Sequence, residues 1–318
     1  MFVVGVNLAE KELQSRKTLK LAAEMSKTYY GEKLVLAYSG GKDSDVMLNL
    51  AEKELNHSDF VVVNSHTTVD APQTVYFIRE VFERLNSQGI ETKIIYPDTS
   101  MWKLIVKKGM PPTRLQRYCC QELKEMSIPN RLVSLGVRSS ESEGRKGKDT
   151  FAIRGKTKDK ALFFSLDHVE EVHREALEIN DPVWDCTLIK TMRDHKDTIV
   201  NPIYEWTNTD VWLYIRQNNM KYNPLYDMGY SRVGCIGCPL GGYASQLREF
   251  ADFPKYKELY IKAFDRMLAH GKEKGKDYVE GKEEYNIWET GEDVFDWWTG
   301  KQYRECYGQI NIFDFMEG

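Results

Sequence analysis

The chain has 318 residues, 42% hydrophobic and 29% charged, with a formal net charge of −4. That balance fits a globular protein with a sizeable core and excludes a general electrostatic attraction to nucleic acid, which would need a local basic patch. No apolar run approaches the roughly 20 residues of a membrane span, the N-terminal Met1-Phe2-Val3-Val4-Gly5-Val6 lacks the form of a secretory signal, and six cysteines are too few for a disulfide scaffold, so a cytoplasmic protein is expected.

Over residues 10–30, Leu13, Leu19, Leu21, Ala22 and Met25 recur among polar residues at the spacing of an amphipathic helix. Leu34 to Tyr38 reads as a buried strand, followed by the loop Ser39-Gly40-Gly41-Lys42-Asp43-Ser44. Asp45 to Leu55 then has helical spacing through Val46, Leu48, Leu50 and Ala51. Phe60–Val63 reads as a second strand, 72–87 as a helix, Thr92–Tyr96 as a third strand, 100–107 as a short helix and 132–137 as a fourth strand. This alternation predicts an α/β fold, doubly wound around a mainly parallel sheet.

From Ser139 to Lys160 the chain turns polar and basic (Arg145, Lys146, Lys148, Lys156, Lys158, Lys160), the composition of a lid or a solvated loop. Thr207, with Asp210 three residues on, marks the start of a helix reaching about Gln217. Arg248, Lys255, Lys257 and Lys262 give a later helical segment a basic face, and the last part of the chain is rich in aromatics, Trp288, Trp297, Trp298 and Tyr303 among them. The expected organisation is an N-terminal helical segment (1–30), a nucleotide-binding domain (31–242) with a polar lid (139–160), and a helical, aromatic-rich C-terminal extension (243–318).

Strand, Gly-rich turn and helix is the arrangement that sets a helix N-terminus against a phosphate. The loop does not have the Walker spacing, but its parts suit the same ligand. Gly40 and Gly41 let the backbone approach an anion, Ser39 and Ser44 add hydroxyls, Lys42 adds a charge, and Asp43 can orient a magnesium ion or cap the helix. His66 and Asp70 follow the second strand, either lining a pocket or forming a satisfied loop.

Cys119 and Cys120 are adjacent, and Cys235-Ile236-Gly237-Cys238 is a C-x-x-C. Two such pairs can close one sulfur site around zinc or an iron–sulfur cluster; they can equally be core residues and a separate dithiol. Cys186 reads as core, and Cys306 as either a nucleophile or a packed thiol.

The hexapeptide resembles the S-G-G-x-D-S motif of the PP-loop ATP pyrophosphatases. The CC and C-x-x-C pairs, Leu135-Gly136-Val137-Arg138-Ser139-Ser140-Glu141-Ser142 with Arg145, Asn201-Pro202-Ile203, Asp210-Val211-Trp212 and Tyr222-Asn223-Pro224-Leu225-Tyr226 resemble the iron–sulfur branch of the phosphoadenylylsulfate reductase-like family. The likeness covers most of residues 34–242 and is similar, too, to the DNA phosphorothioation sulfur-incorporation enzymes. It implies an adenine nucleotide alpha hydrolase-like fold, with ATP and Mg2+ held by Ser39, Gly40, Gly41, Lys42, Asp43, Ser44, Arg138 and Arg145. Lys42, Asp43 and Arg138 take the catalytic roles, and Cys119, Cys120, Cys235 and Cys238 hold a 4Fe-4S cluster, with zinc as the alternative occupant.

Sulfonucleotide reductases carry a loop resembling S-x-G-x-E-D and an E-C-G-L-H tail, whereas this chain keeps Gly41-Lys42 and has Glu305-Cys306-Tyr307-Gly308. The resemblance therefore implies an ATP pyrophosphatase that adenylates an acceptor for sulfur insertion. The acceptor is expected to be a DNA-backbone phosphate, with a cysteine desulfurase as persulfide donor. The alternatives are an adenylylsulfate or phosphoadenylylsulfate reductase, a tRNA-thiolating enzyme, and a non-catalytic nucleotide or redox sensor.

Overall fold

The computed structural model describes residues 2–124, 131–141, 149–154, 162–179, 197–274 and 288–301. In chain order the elements are α1 (Phe2–Met25), β1 (Leu34–Ala37), α2 (Lys42–Glu54), β2 (Phe60–Ser65), α3 (Pro72–Ser87), β3 (Glu91–Ile95), α4 (Met101–Lys108), α5 (Tyr118–Leu123) and β4 (Arg131–Leu135). They continue with β5 (Phe151–Arg154), β6 (Leu162–Phe164), α6 (Leu166–Ile179), β7 (Asp197–Val200), α7 (Asn208–Gln217), α8 (Tyr243–Asp252), α9 (Pro254–Glu273) and α10 (Gly291–Trp298). No helix among the described residues is long and apolar enough to cross a membrane.

The chain divides into two compact units. The first takes in Met1–Ser65, Pro72–Ile95 and Ser127–Val233 and holds the whole sheet, in the order β3-β2-β1-β4-β7-β5-β6. Strands β3, β2, β1, β4 and β7 run parallel, while β5 pairs antiparallel with both β7 and β6. Because side chains alternate across a strand, Leu34, Leu36, Phe60 and Val62 join the main core with Leu19, Met47, Leu50 and Tyr214. Val35, Val61 and Val63 form a smaller cluster on the opposite face. Such two-sided apolar strands are the mark of a sheet covered on both faces. The predicted cap of α7 is present as a full capping box between Thr207 and Asp210.

Three features differ from the sequence reading. The first helix begins at Phe2 and ends in a π-turn, Ser26–Tyr30. The polar stretch 139–160 contains a strand, β5, whose Phe151 is 1% exposed. Strands β6 and β7 carry no strong alternation and went unread. Residues 142–148 and 155–161, including Arg145 and the lysines from Lys146 to Lys160, lie outside the described residues.

The second unit takes in His66–Ala71, Tyr96–Met126 and Gly234–Gly318. Its core is aromatic: Phe250, Tyr260, Phe264, Phe295 and Trp298 pack with ring centroids 4.8–6.3 Å apart. The indole N–H of Trp298 donates to the carbonyl of Pro112 at 2.6 Å.

Candidate functional site

Strand β1 lies between the parallel β2 and β4, so the loop that leaves it and the segment 136–138 that leaves β4 emerge at one carboxyl edge of the sheet. That edge is where open α/β sheets take their ligands. Gly40 has φ 69°, a left-handed conformation, and a Cβ there would stand 2.9 Å from Ile78 Cγ1. The Ser44 hydroxyl donates to the Gly41 carbonyl (2.8 Å) and accepts from the Ser39 amide (3.3 Å), while Ser39 Oγ stands 3.2 Å away. The serines thus knit the loop together. None of these bonds uses the amides of Gly40 and Gly41, which leaves them to meet an anion.

Lys42, Asp43 and Arg138 come together at the first turn of α2. Lys42 is 4% exposed, with its ammonium 3.2 Å from Asp43 Oδ2. Arg138, also 4% exposed, donates from Nε to Asp43 Oδ1 at 2.6 Å and from Nη1 to Ser140 Oγ at 3.1 Å. Each Asp43 oxygen meets one cation, so the carboxylate draws Lys42 and Arg138 together. Two buried cations thus surround one carboxylate at the positive end of a helix dipole, an arrangement whose charge suits a polyanion. Arg145 and Cys306 lie outside the described residues, as do Cys186 and Tyr303.

Other residues of this neighbourhood escaped the sequence reading. Asn223, fully buried, donates to the Gly40 carbonyl and to Thr74 Oγ1, each at 3.0 Å. The Tyr226 hydroxyl accepts from the Lys42 amide at 3.0 Å. Beneath the loop, Tyr38 donates to Asp45 Oδ1 at 2.5 Å, and burial pushes the Asp45 carboxyl up to about 7, with the hydrogen bond from Tyr38 opposing that rise. The only signal for Asn223 and Tyr226 in the sequence was their run, Tyr222-Asn223-Pro224-Leu225-Tyr226.

All four predicted metal-binding cysteines fall in the second unit, half-buried and outside any disulfide among the described residues. Cys119 and Cys120 stand in α5; Cys235 and Cys238 flank a tight turn whose backbone is held from several sides. Glu249 accepts from the Gly237 amide (2.6 Å), Gln246 donates to the Gly237 carbonyl (3.0 Å), and Tyr260 donates to the Ile236 carbonyl (3.0 Å). The Cys119 thiol is pushed up by its hydrogen bond with Cys120, by burial, and by the charges of Cys120, Cys235 and Cys238. Burial likewise raises Cys235, against the lowering effect of Lys124.

Four thiols in one unit match a zinc or 4Fe-4S site in donor kind and number. Among the described residues, however, no three His, Cys, Asp or Glu side chains are drawn into a ready metal cage. His66 and Asp70 serve their own loop: His66 Nδ1 accepts from the Thr68 amide at 3.1 Å, and Asp70 Oδ2 from the Thr67 amide at 2.8 Å.

The sequence profile of the phosphoadenosine phosphosulfate reductase domain matches residues 33–240. An adenosine 5'-phosphosulfate reductase of Bacillus subtilis strain 168 is 26% identical over 217 residues, 66% of this chain and 74% of the relative. An uncharacterized protein of Methanocaldococcus jannaschii is 26% identical over 232 residues, 73% of this chain. The chain spans only 46% of that relative and 40% of a second from the same organism. Among solved structures, a phosphoadenylyl-sulfate reductase from Candida auris superposes with a TM-score of 0.43 at 16% identity, covering 69% of this chain and 87% of that one.

Proposed function

The chain belongs to the phosphoadenosine phosphosulfate reductase domain family, and from that membership we propose that it binds ATP at the loop 39–44 and cleaves it between the α and β phosphates. The observation that carries this reading is the pair of buried cations, Lys42 and Arg138, fixed by Asp43 at the first turn of α2. An acceptor oxygen attacks the α-phosphorus, the bond to the bridging oxygen breaks, and pyrophosphate departs with its charge met by Lys42, Arg138 and the amides of Gly40 and Gly41. Arg145 adds a further cation to the same phosphates. Magnesium is expected to enter with the phosphates of the nucleotide, where Asp43 can help orient it.

The product is an adenylated acceptor, in our reading a phosphate of a DNA backbone. The terminal sulfur of a persulfide delivered by a cysteine desulfurase then attacks the activated phosphorus, and AMP departs with the oxygen. A second thiol cleaves the S–S bond, leaving sulfur in place of oxygen and a disulfide as the oxidised product. Cys119, Cys120, Cys235 and Cys238 are the residues that would hold a 4Fe-4S cluster, which when bound supplies iron able to carry electrons or ligate sulfur. The basic residues from Lys146 to Lys160 are read as a solvated face, and the protein as cytoplasmic.

A second reading, reduction of adenosine 5'-phosphosulfate, is favoured by the relative that bears that name. The two are separated by giving anaerobically purified protein Mg-ATP in one reaction and adenosine 5'-phosphosulfate with a thiol reductant in another. Pyrophosphate from the first, abolished in Lys42→Ala, is the expected result. Sulfite from the second, abolished in Cys306→Ser, would replace the adenylating reading with the reductive one.

A further inference from the structure

Tyr226 stands 184 residues beyond Lys42 yet touches it twice. Its hydroxyl oxygen accepts the Lys42 amide N–H at 3.0 Å, and its ring lies 5.6 Å from the Lys42 ammonium. The placement is rigid. Asn223 caps the turn that carries the tyrosine, accepting from the Leu225 amide at 3.1 Å, while the Asn223 carbonyl accepts from the Tyr226 amide at 3.1 Å. The Asn223 side-chain amide ties the same turn to the Gly40 carbonyl at 3.0 Å. Trp212 packs edge-on against the ring, with centroids 5.1 Å apart. A Cβ on Gly41 would lie 3.5 Å from the Tyr226 oxygen, so the hydroxyl borders the floor of the phosphate loop.

A phenol has one proton to donate as well as lone pairs to accept with. Here the oxygen accepts from the loop, and among the described residues no bond formed by Tyr226 uses its proton. Burial holds the phenol above its ordinary range, so at neutral pH the group is a hydroxyl and keeps that proton.

We propose that Tyr226 is a phosphate-contacting residue of the nucleotide site: anchored by the Lys42 amide, its O–H donates to the pyrophosphate portion of a bound nucleoside triphosphate, and its ring holds the Lys42 ammonium beside the same group. This rests on the reading of the loop as an ATP site. One downstream side chain would thereby set both the loop's charge and a donor for the leaving group.

The test uses the full chain and isothermal titration calorimetry with three probes, Mg-ATP, inorganic pyrophosphate and AMP. Tyr226→Phe keeps the ring and removes the hydroxyl. It should weaken Mg-ATP and pyrophosphate by about tenfold, as expected for one hydrogen bond to a charged group, and leave AMP within about twofold. Tyr226→Leu, which also removes the ring, should weaken pyrophosphate further while AMP again holds. A merely structural tyrosine would weaken all three probes together, and that outcome overturns the proposal. So does unchanged binding of all three. Tighter pyrophosphate binding in Tyr226→Phe would mean that the hydroxyl competes with phosphate for the Lys42 amide, which also overturns it. If the unaltered protein binds neither Mg-ATP nor pyrophosphate, the reading of the loop itself fails, a result distinct from the others.

Discussion

Asp45 is 5% exposed, one carboxylate oxygen bonded by Tyr38 and the other meeting no hydrogen-bond partner among the described residues. Its carboxyl is raised from the ordinary 3.8 to about 7, mostly by burial. A group raised in the folded state contributes stability that is complete below the unfolded value and lost as pH climbs through the folded one. Stability should therefore fall between about pH 4 and pH 7 and then level off. Asp45→Asn should flatten that slope and raise the melting temperature at pH 8, read by thermal melts across the range. Arg138 makes a different prediction. It bonds Asp43 and Ser140 through separate nitrogens, a fork that an ammonium does not reproduce. Arg138→Lys should thus lose most of the pyrophosphate release that Arg138→Ala loses, about tenfold or more in rate, with the fold intact by circular dichroism.

At the scale of the element, Gly237 shows how far the C-x-x-C turn depends on its neighbours. It has φ 74°, and a Cβ would stand 2.6 Å from Phe250 Cζ and 3.0 Å from the Trp298 ring. Gly237→Ala should destabilise the aromatic core and lower the iron or zinc content of anaerobically purified protein, measured by metal analysis. The cap of α7 is simpler: Thr207→Ala removes the hydroxyl that accepts from the Asp210 amide, keeps the backbone half of the capping box, and should cost about 1 kcal/mol in denaturant unfolding. Elements with a strong period were legible beforehand. Helix α3 was read at its full extent because Phe77, Ile78, Phe82 and Leu85 recur on one buried face. Strands β5 and β7, four residues each, offered too few positions for alternation to register. The loop 39–44 could be read because its chemistry is local. The family resemblance put Asp43 and Arg138, 95 residues apart, in one site, but their direct ion pair was not legible, since no spacing rule brings those side chains together.

At the scale of the molecule, the four cysteines share a unit that is discontinuous in sequence, assembled from His66–Ala71, Tyr96–Met126 and Gly234–Gly318. If Cys119, Cys120, Cys235 and Cys238 jointly hold a metal centre, chelation should lower the unfolding transition of that unit and leave the sheet unit's transition in place. Hydrogen exchange of α9 amides against those of α2 would read the two separately. The bond from Trp298 to the Pro112 carbonyl spans 186 residues of chain. At about 5–20 residues per second, a ribosome needs on the order of ten to forty seconds to make the chain between those two partners. For that interval Cys119 and Cys120 wait on the nascent polypeptide without the aromatic core that later encloses their unit. Synthesis itself thus opens a window in which those thiols meet oxidants, metals and chaperones before their own partners arrive.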